Sequence, residues 1–89
     1  MDVGQRRAVA RIARLVLDLE ALMRSRSLAT SDTFDLPLRQ EDIADALGLT
    51  TAHVNRTMAQ LRSSKTLEIT GGMATIMDRE ELERIAANG

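Results

Sequence analysis

The chain has no cysteine, no tryptophan and no tyrosine, and only one phenylalanine, one proline and one histidine in 89 residues. Each shortage excludes something. Without cysteine there is no disulfide, no thiolate metal site and no thiol nucleophile, which agrees with a cytoplasmic location. With Phe34 as the only aromatic, a core must be packed from Leu, Ile, Val, Met and Ala. No apolar run is long enough to span a bilayer, and no signal-peptide pattern is present. His53 alone, without cysteine, cannot make a zinc site. No Ser–His–acid set is suggested. Asp42 and Asp45, three apart on a helix, and Glu80, Glu81 and Glu83 read as solvated faces. The inventory points away from an enzyme, and no cofactor is expected in this chain.

Strong charge of one sign is also missing, since the net charge is −1. The total gives no support for nucleic-acid binding, but the distribution is uneven. Residues 1–31 carry six Arg against three acids, and residues 32–45 carry one Arg against five acids. Residues 46–77 carry Arg56, Arg62 and Lys65 against Glu68 alone, and residues 78–89 carry two Arg against four acids. Local charge decides a groove contact more than the total does.

What is present is regular patterning. Val9, Ile12, Ala13, Val16, Leu19 and Met23 recur at three- and four-residue spacing, which predicts a long helix over 5–26. The polar stretch 27–33 reads as a loop. Phe34, Leu36 and Leu38 alternate with Asp35 and Pro37, so a short strand is expected, confined to an edge by Pro37. From Leu38 to Leu61 the chain reads as a short helix, a turn at Gly48 and a second helix over 51–63 capped by Thr50. Ile43, Ala44 and Leu47 line one side of the first helix, Leu49 plugs the turn, and Val54, Met58 and Leu61 line the second. Ala52, Arg56 and Gln60 form the outward stripe. Leu67 and Ile69 open a hairpin, Gly71-Gly72 turns it, and Ala74 to Met77 returns. Asp78 with Glu81 reads as a capping box for a last helix over 79–87.

The order is helix, strand, helix, helix, hairpin, helix. That is a mainly α fold with a small β-hairpin, a winged helix-turn-helix. One domain over 1–89 is expected: leading helix and loop 1–30, edge strand and helix-turn-helix 34–64, wing hairpin 66–77 and C-terminal helix 78–89. A helix-turn-helix lays its second helix into the major groove of DNA. Arg56 suits guanine O6 and N7. Thr50 caps the helix and offers a phosphate contact, as do the first N–H groups. His53 and Asn55 flank the outward stripe, with His53 in reach of a phosphate. Arg39 and Gln40 open the helix that crosses the backbone. Arg62 lies late in the second helix, within reach of a phosphate only. In the wing of Thr70, Gly71, Gly72 and Thr75, backbone N–H groups can meet a phosphate.

LPLRQEDIADALGLTTAHVNRTMAQLR, the LEITGG hairpin and IMDREELERIA together resemble the C-terminal DNA-binding domain of the bacterial cyclic-AMP receptor and fumarate–nitrate regulator (Crp/Fnr) family. VARIARLVLDLEAL resembles the helix that opens that domain. The resemblance implies sequence-specific binding of double-stranded DNA, a homodimer in the full-length protein, and recruitment of RNA polymerase, with no membrane partner. It also implies that the family's sensory and dimerisation domain, with its ligand site, is not in this chain. Two positions depart from the family. Thr51 and Ala52 stand where well-known members carry Arg and Glu, or Glu and Ser. Ala52 offers only a methyl, suited to thymine, and Thr51 is an ambiguous reader. Lys65 stands where the family usually has Gly, so the recognition helix must end on a left-handed lysine or end differently. The rival reading is a winged helix used for protein contact, in dimerisation or docking to polymerase, with little DNA binding.

Overall fold

A computed structural model describes residues 3–26 and 31–88. The first apolar stripe folds as α1, Val3–Ser25. Ile12, Ala13 and Val16 are fully buried, and Val9, Leu19 and Met23 pack partly against the same core. Residues 27–30 of the expected loop lie outside the described residues.

The expected edge strand is shorter and earlier than the alternation suggests. β1 is Thr33–Asp35, so only Phe34 of the three apolar residues lies in it. Leu36 is buried beyond the strand, where its N–H donates to the Gly72 carbonyl at 2.9 Å. Pro37 therefore never has to be accommodated in a ladder, because pairing stops two residues before it. β1 also does not stand apart from the hairpin. Strands β2 (Leu67–Thr70) and β3 (Met73–Ile76) form the wing, and β1 pairs antiparallel with β3 to give a three-stranded sheet of order β1-β3-β2. The expected hairpin wing is present, and the expected edge strand joins it to make a three-stranded sheet, with Phe34 opposite Ala74 and Ile69 opposite Ala74 from the other side. Thr70 faces Met73 across a two-residue turn. Gly71 and Gly72 have φ of 58° and 76°, the double left-handed conformation that a tight, right-twisting hairpin demands and that favours glycine.

The helix-turn-helix is α2, Gln40–Leu47, and α3, Thr51–Ser63. Gly48 closes α2 at φ 68°, with Leu49 N–H returning to the Ala44 carbonyl at 2.8 Å. Val54, Thr57, Met58 and Leu61 are the buried stripe of α3. Thr57 is tolerated there because its hydroxyl donates to the His53 carbonyl at 2.9 Å.

α3 ends on a left-handed lysine. Lys65 has φ 56°, and its N–H reaches the Arg62 carbonyl at 3.0 Å while the Thr66 N–H reaches that of Leu61 at 2.9 Å. This is the paired bond pattern of a helix stop that normally uses glycine. Replacing Lys65 by glycine should remove a Cβ clash worth about 1–2 kcal/mol. It should also loosen the unfolded chain by about 0.4–1 kcal/mol. A net gain on the order of 1 kcal/mol is expected, read as a higher denaturation midpoint at unchanged slope. An unchanged or lower midpoint would contradict it.

α4 is Arg79–Ala87, capped by Asp78, whose carboxylate accepts the Glu81 N–H at 3.1 Å. The expected capping box is only half formed. The Asp78 N–H donates to the Thr66 carbonyl at 3.2 Å, and the Glu81 carboxylate is taken by Arg84. α4 packs antiparallel on α1: Arg14 of α1 donates to the Ala86 carbonyl at 2.9 Å, and Arg79 grips Glu20.

Candidate nucleic-acid interface

Thr50 leaves the helical conformation at φ −79°, ψ 153°, and its hydroxyl oxygen accepts the His53 N–H at 3.1 Å. The Thr50 carbonyl accepts the Val54 N–H at 3.1 Å. The N–H groups of Thr51 and Ala52 are left for an outside acceptor, as helix geometry requires. The first turn of α3 carries no acid, whereas α2 begins with Glu41 and Asp42 and α4 with Glu80 and Glu81. The positive end of the α3 dipole is therefore uncompensated, which suits a phosphate. The capping hydroxyl keeps its own proton and can donate it outward.

On the outward side of α3, Thr51, Ala52, Asn55, Arg56, Gln60 and Arg62 are exposed, and His53 is half-buried. Arg56, Arg62 and Lys65 form no ion pair with any described residue, while Arg24, Arg39, Arg79 and Arg84 do. Arg56 thus stands on the exposed face and is not folded onto a carboxylate of any described residue. Arg62 is exposed too, but six residues on, about 9 Å further along the axis.

The remaining predicted residues gather around one groove. Leu36, Pro37, Leu38, Arg39, Gln40 and Asp42 form one wall and Ile69, Thr70, Gly71 and Gly72 the other. The Leu36-to-Gly72 hydrogen bond ties the walls together. Arg39 is the N-cap of α2, but its guanidinium has no acceptor, so it gives no side-chain cap. Asp42 compensates by accepting the Arg39 N–H at 2.9 Å. The Arg39 side chain stays 83% exposed and pairs with Glu41 at 3.5 Å, a surface pair worth little. Thr75 lies in the central strand β3, paired with Thr33 on one side and Glu68 on the other, and its hydroxyl meets that of Thr33 at 3.2 Å.

Three polar residues went unnoticed in the sequence and hold this site in place. Glu20, Thr57 and Thr66 are buried. The Thr66 carbonyl accepts from both Met77 at 2.9 Å and Asp78 at 3.2 Å, joining the end of α3 to the returning wing strand and to the cap of α4. Glu20 is bound by Arg79 and Arg24, and Arg79 also reaches Asp32 at 3.0 Å. Glu20 could have been found: it continues the Ile12–Val16 spacing by four, so a charge sits on the apolar stripe, with Arg24 four residues further.

Residues 10–85 match the family model described as the Crp-like helix-turn-helix domain. A probable transcriptional activator of Rhizobium leguminosarum bv. viciae is 41% identical over 86 residues, covering 96% of this chain and 35% of that protein. The nitrogen fixation regulation protein FixK of Bradyrhizobium diazoefficiens is 36% identical over 88 residues, with the same coverage of 96% and 35%. The chain therefore spans about a third of the length of these curated relatives. Among solved structures, FixK2 from Bradyrhizobium japonicum superposes with a TM-score of 0.71 at 30% identity, over 88% of this chain and 37% of that one. DNR from Pseudomonas aeruginosa, at 23% identity, shares the fold with a TM-score of 0.77 over 93% of this chain and 35% of that one. The chain belongs to the Crp-like helix-turn-helix family, the DNA-binding domains of Crp/Fnr transcription regulators.

Proposed function

We propose that α3 lies in the major groove of double-stranded DNA, with Arg56 on a guanine edge, while the Thr50–Ala52 turn, Arg39 and the Gly71-Gly72 wing meet phosphates. The observation that carries this reading is the exposed Arg56, without an ion-pair partner among the described residues, on an α3 whose first turn carries no acid. The remaining candidates have lesser parts. Thr51, Ala52 and Asn55 face bases, and Gln40, His53 and Arg62 face the backbone. In this reading the chain carries out recognition rather than catalysis, and no cofactor is assigned to it. The partners are double-stranded DNA, a second copy in the dimeric regulator, and RNA polymerase, all in the cytoplasm.

The test is a duplex titration at several salt concentrations. Each phosphate neutralised contributes a slope of roughly −0.9 in log K against log salt. With Arg39, Arg56, Arg62 and Lys65 engaged, a slope of about −3 to −4 per monomer is expected. The affinity of the single domain should be weak for the same reason, since few cations are in play. Absence of duplex binding at low salt, even for the domain fused to a dimeriser, would support the protein-contact rival.

A further inference from the structure

The α3 sequence contains no Asp and no Glu. At 3.6 residues per turn, Ala52, Arg56, Ala59 and Ser63 fall within about 30° of the line opposite the buried stripe, and Asn55 and Gln60 lie about 70° to either side. The centre of the face is therefore mostly small side chains, which lets the helix approach closely. Arg56 is the one long side chain on that centre line. Asn55, beside it one turn from the N-terminus, is exposed, and its side chain makes no hydrogen bond with another described residue. Its carboxamide is thus unspent.

Each base edge in the major groove has a matching side-chain chemistry. A guanidinium fits guanine O6 and N7, a carboxamide fits adenine N6 and N7, and a methyl packs on the thymine methyl. A carboxylate accepts from cytosine N4. The first two turns of α3 present the first three chemistries and lack the fourth. We propose that Asn55 is a second base reader, matched to adenine, that Ala52 packs against a thymine methyl, and that every G·C pair is read from its guanine edge. This rests on α3 entering the major groove, as above. It makes the half-site a set of guanine, adenine and thymine contacts with no carboxylate on a cytosine amine.

The experiment begins with selection of duplexes, randomised over about one helical turn of ~10 base pairs, by the 89-residue chain at low salt. The selected duplex is then remade with single modified bases. 7-Deazaadenine at one position should weaken wild-type binding about tenfold, as for a spoiled bidentate contact, and should barely affect Asn55→Ala. Deoxyuridine in place of one thymidine removes a methyl and should cost about three- to fourfold in wild type. N4-methylcytosine should be silent throughout. Duplex binding in which no adenine position separates wild type from Asn55→Ala, or in which N4-methylcytosine weakens the complex, would overturn the proposal while leaving DNA binding intact. Lack of any salt-dependent duplex binding would overturn both.

Discussion

Arg79→Ala is expected to cost about 3 kcal/mol of stability and to lower Tm by about 12 °C or more. Arg79 belongs to α4 and is itself a third exposed, but its partner is not: the Glu20 side chain is 4% exposed, on the α1 stripe that packs into the core. Removing the arginine leaves a buried carboxylate with only Arg24, at 3.1 Å, to compensate it. That residual partner places the cost at the lower end of the range for a broken buried pair. Glu20→Gln should be milder, because both arginines can turn to water or to Asp32. The same cluster sets the response to acid. The hydrogen bond from Arg79 holds the Glu20 carboxyl below its ordinary range, outweighing the desolvation that pushes it up, and Arg24 adds to the lowering. A carboxyl lowered in the folded state contributes its full stabilisation above the unfolded value of about 4.3 and loses it as pH falls through the folded value. Urea melts between neutral pH and about pH 3 should therefore show an acid-dependent loss that is smaller in Arg79→Ala and loses its Glu20 part in Glu20→Gln. Equal pH profiles in all three proteins would contradict the assignment.

The second large effect separates reading from positioning. Arg56→Ala should cost roughly 1–3 kcal/mol on the preferred site and relax the preference at one base pair. Arg62→Ala should weaken all sequences about equally. Arg56 lies within about 30° of the line opposite the Val54–Thr57–Met58–Leu61 stripe, whereas Arg62 is about 90° from that stripe and late in the helix. Binding of both variants to a selected site and its single-base derivatives decides it. A uniform loss in Arg56→Ala, with preference intact, would make Arg56 a backbone contact and leave specificity to Thr51, Ala52, Asn55 and DNA shape.

Most of the fold was legible because its signals are local. The 51–63 helix, its Thr50 cap, the Gly71-Gly72 turn and the 79–87 helix are each written within a few residues, and the structure has them at those positions. Lys65 stood out against the family pattern, which left a left-handed lysine as one of two possible helix ends, and the structure gives it that conformation. Most of the failures are long-range. The end of β1 at Asp35 is set by its pairing with β3, about 40 residues away, and alternation from Phe34 to Leu38 carries no information about a partner. The Asp78–Glu81 box was incomplete because Thr66 and Arg84 compete for its two groups. Glu20 finds Arg79 59 residues on, so its role was invisible although its place on the stripe was not. For the interface, sequence placed the outward residues of α3 correctly on the exposed side. It did not foresee that Arg39, Gln40, Gly71 and Gly72 share one groove, since that depends on the wing folding back onto the start of α2.

The most direct test of the central claim is a titration of the 15N-labelled domain with duplex DNA, followed by amide chemical shifts. The account predicts shifts concentrated at Thr50–Arg56, at Arg39 and Gln40, and at Gly71 and Gly72. The exposed side of α4 around Glu83 and the α1 surface around Asp18 should stay unmoved. Shifts centred on α1 and α4, or none at low salt, would contradict it.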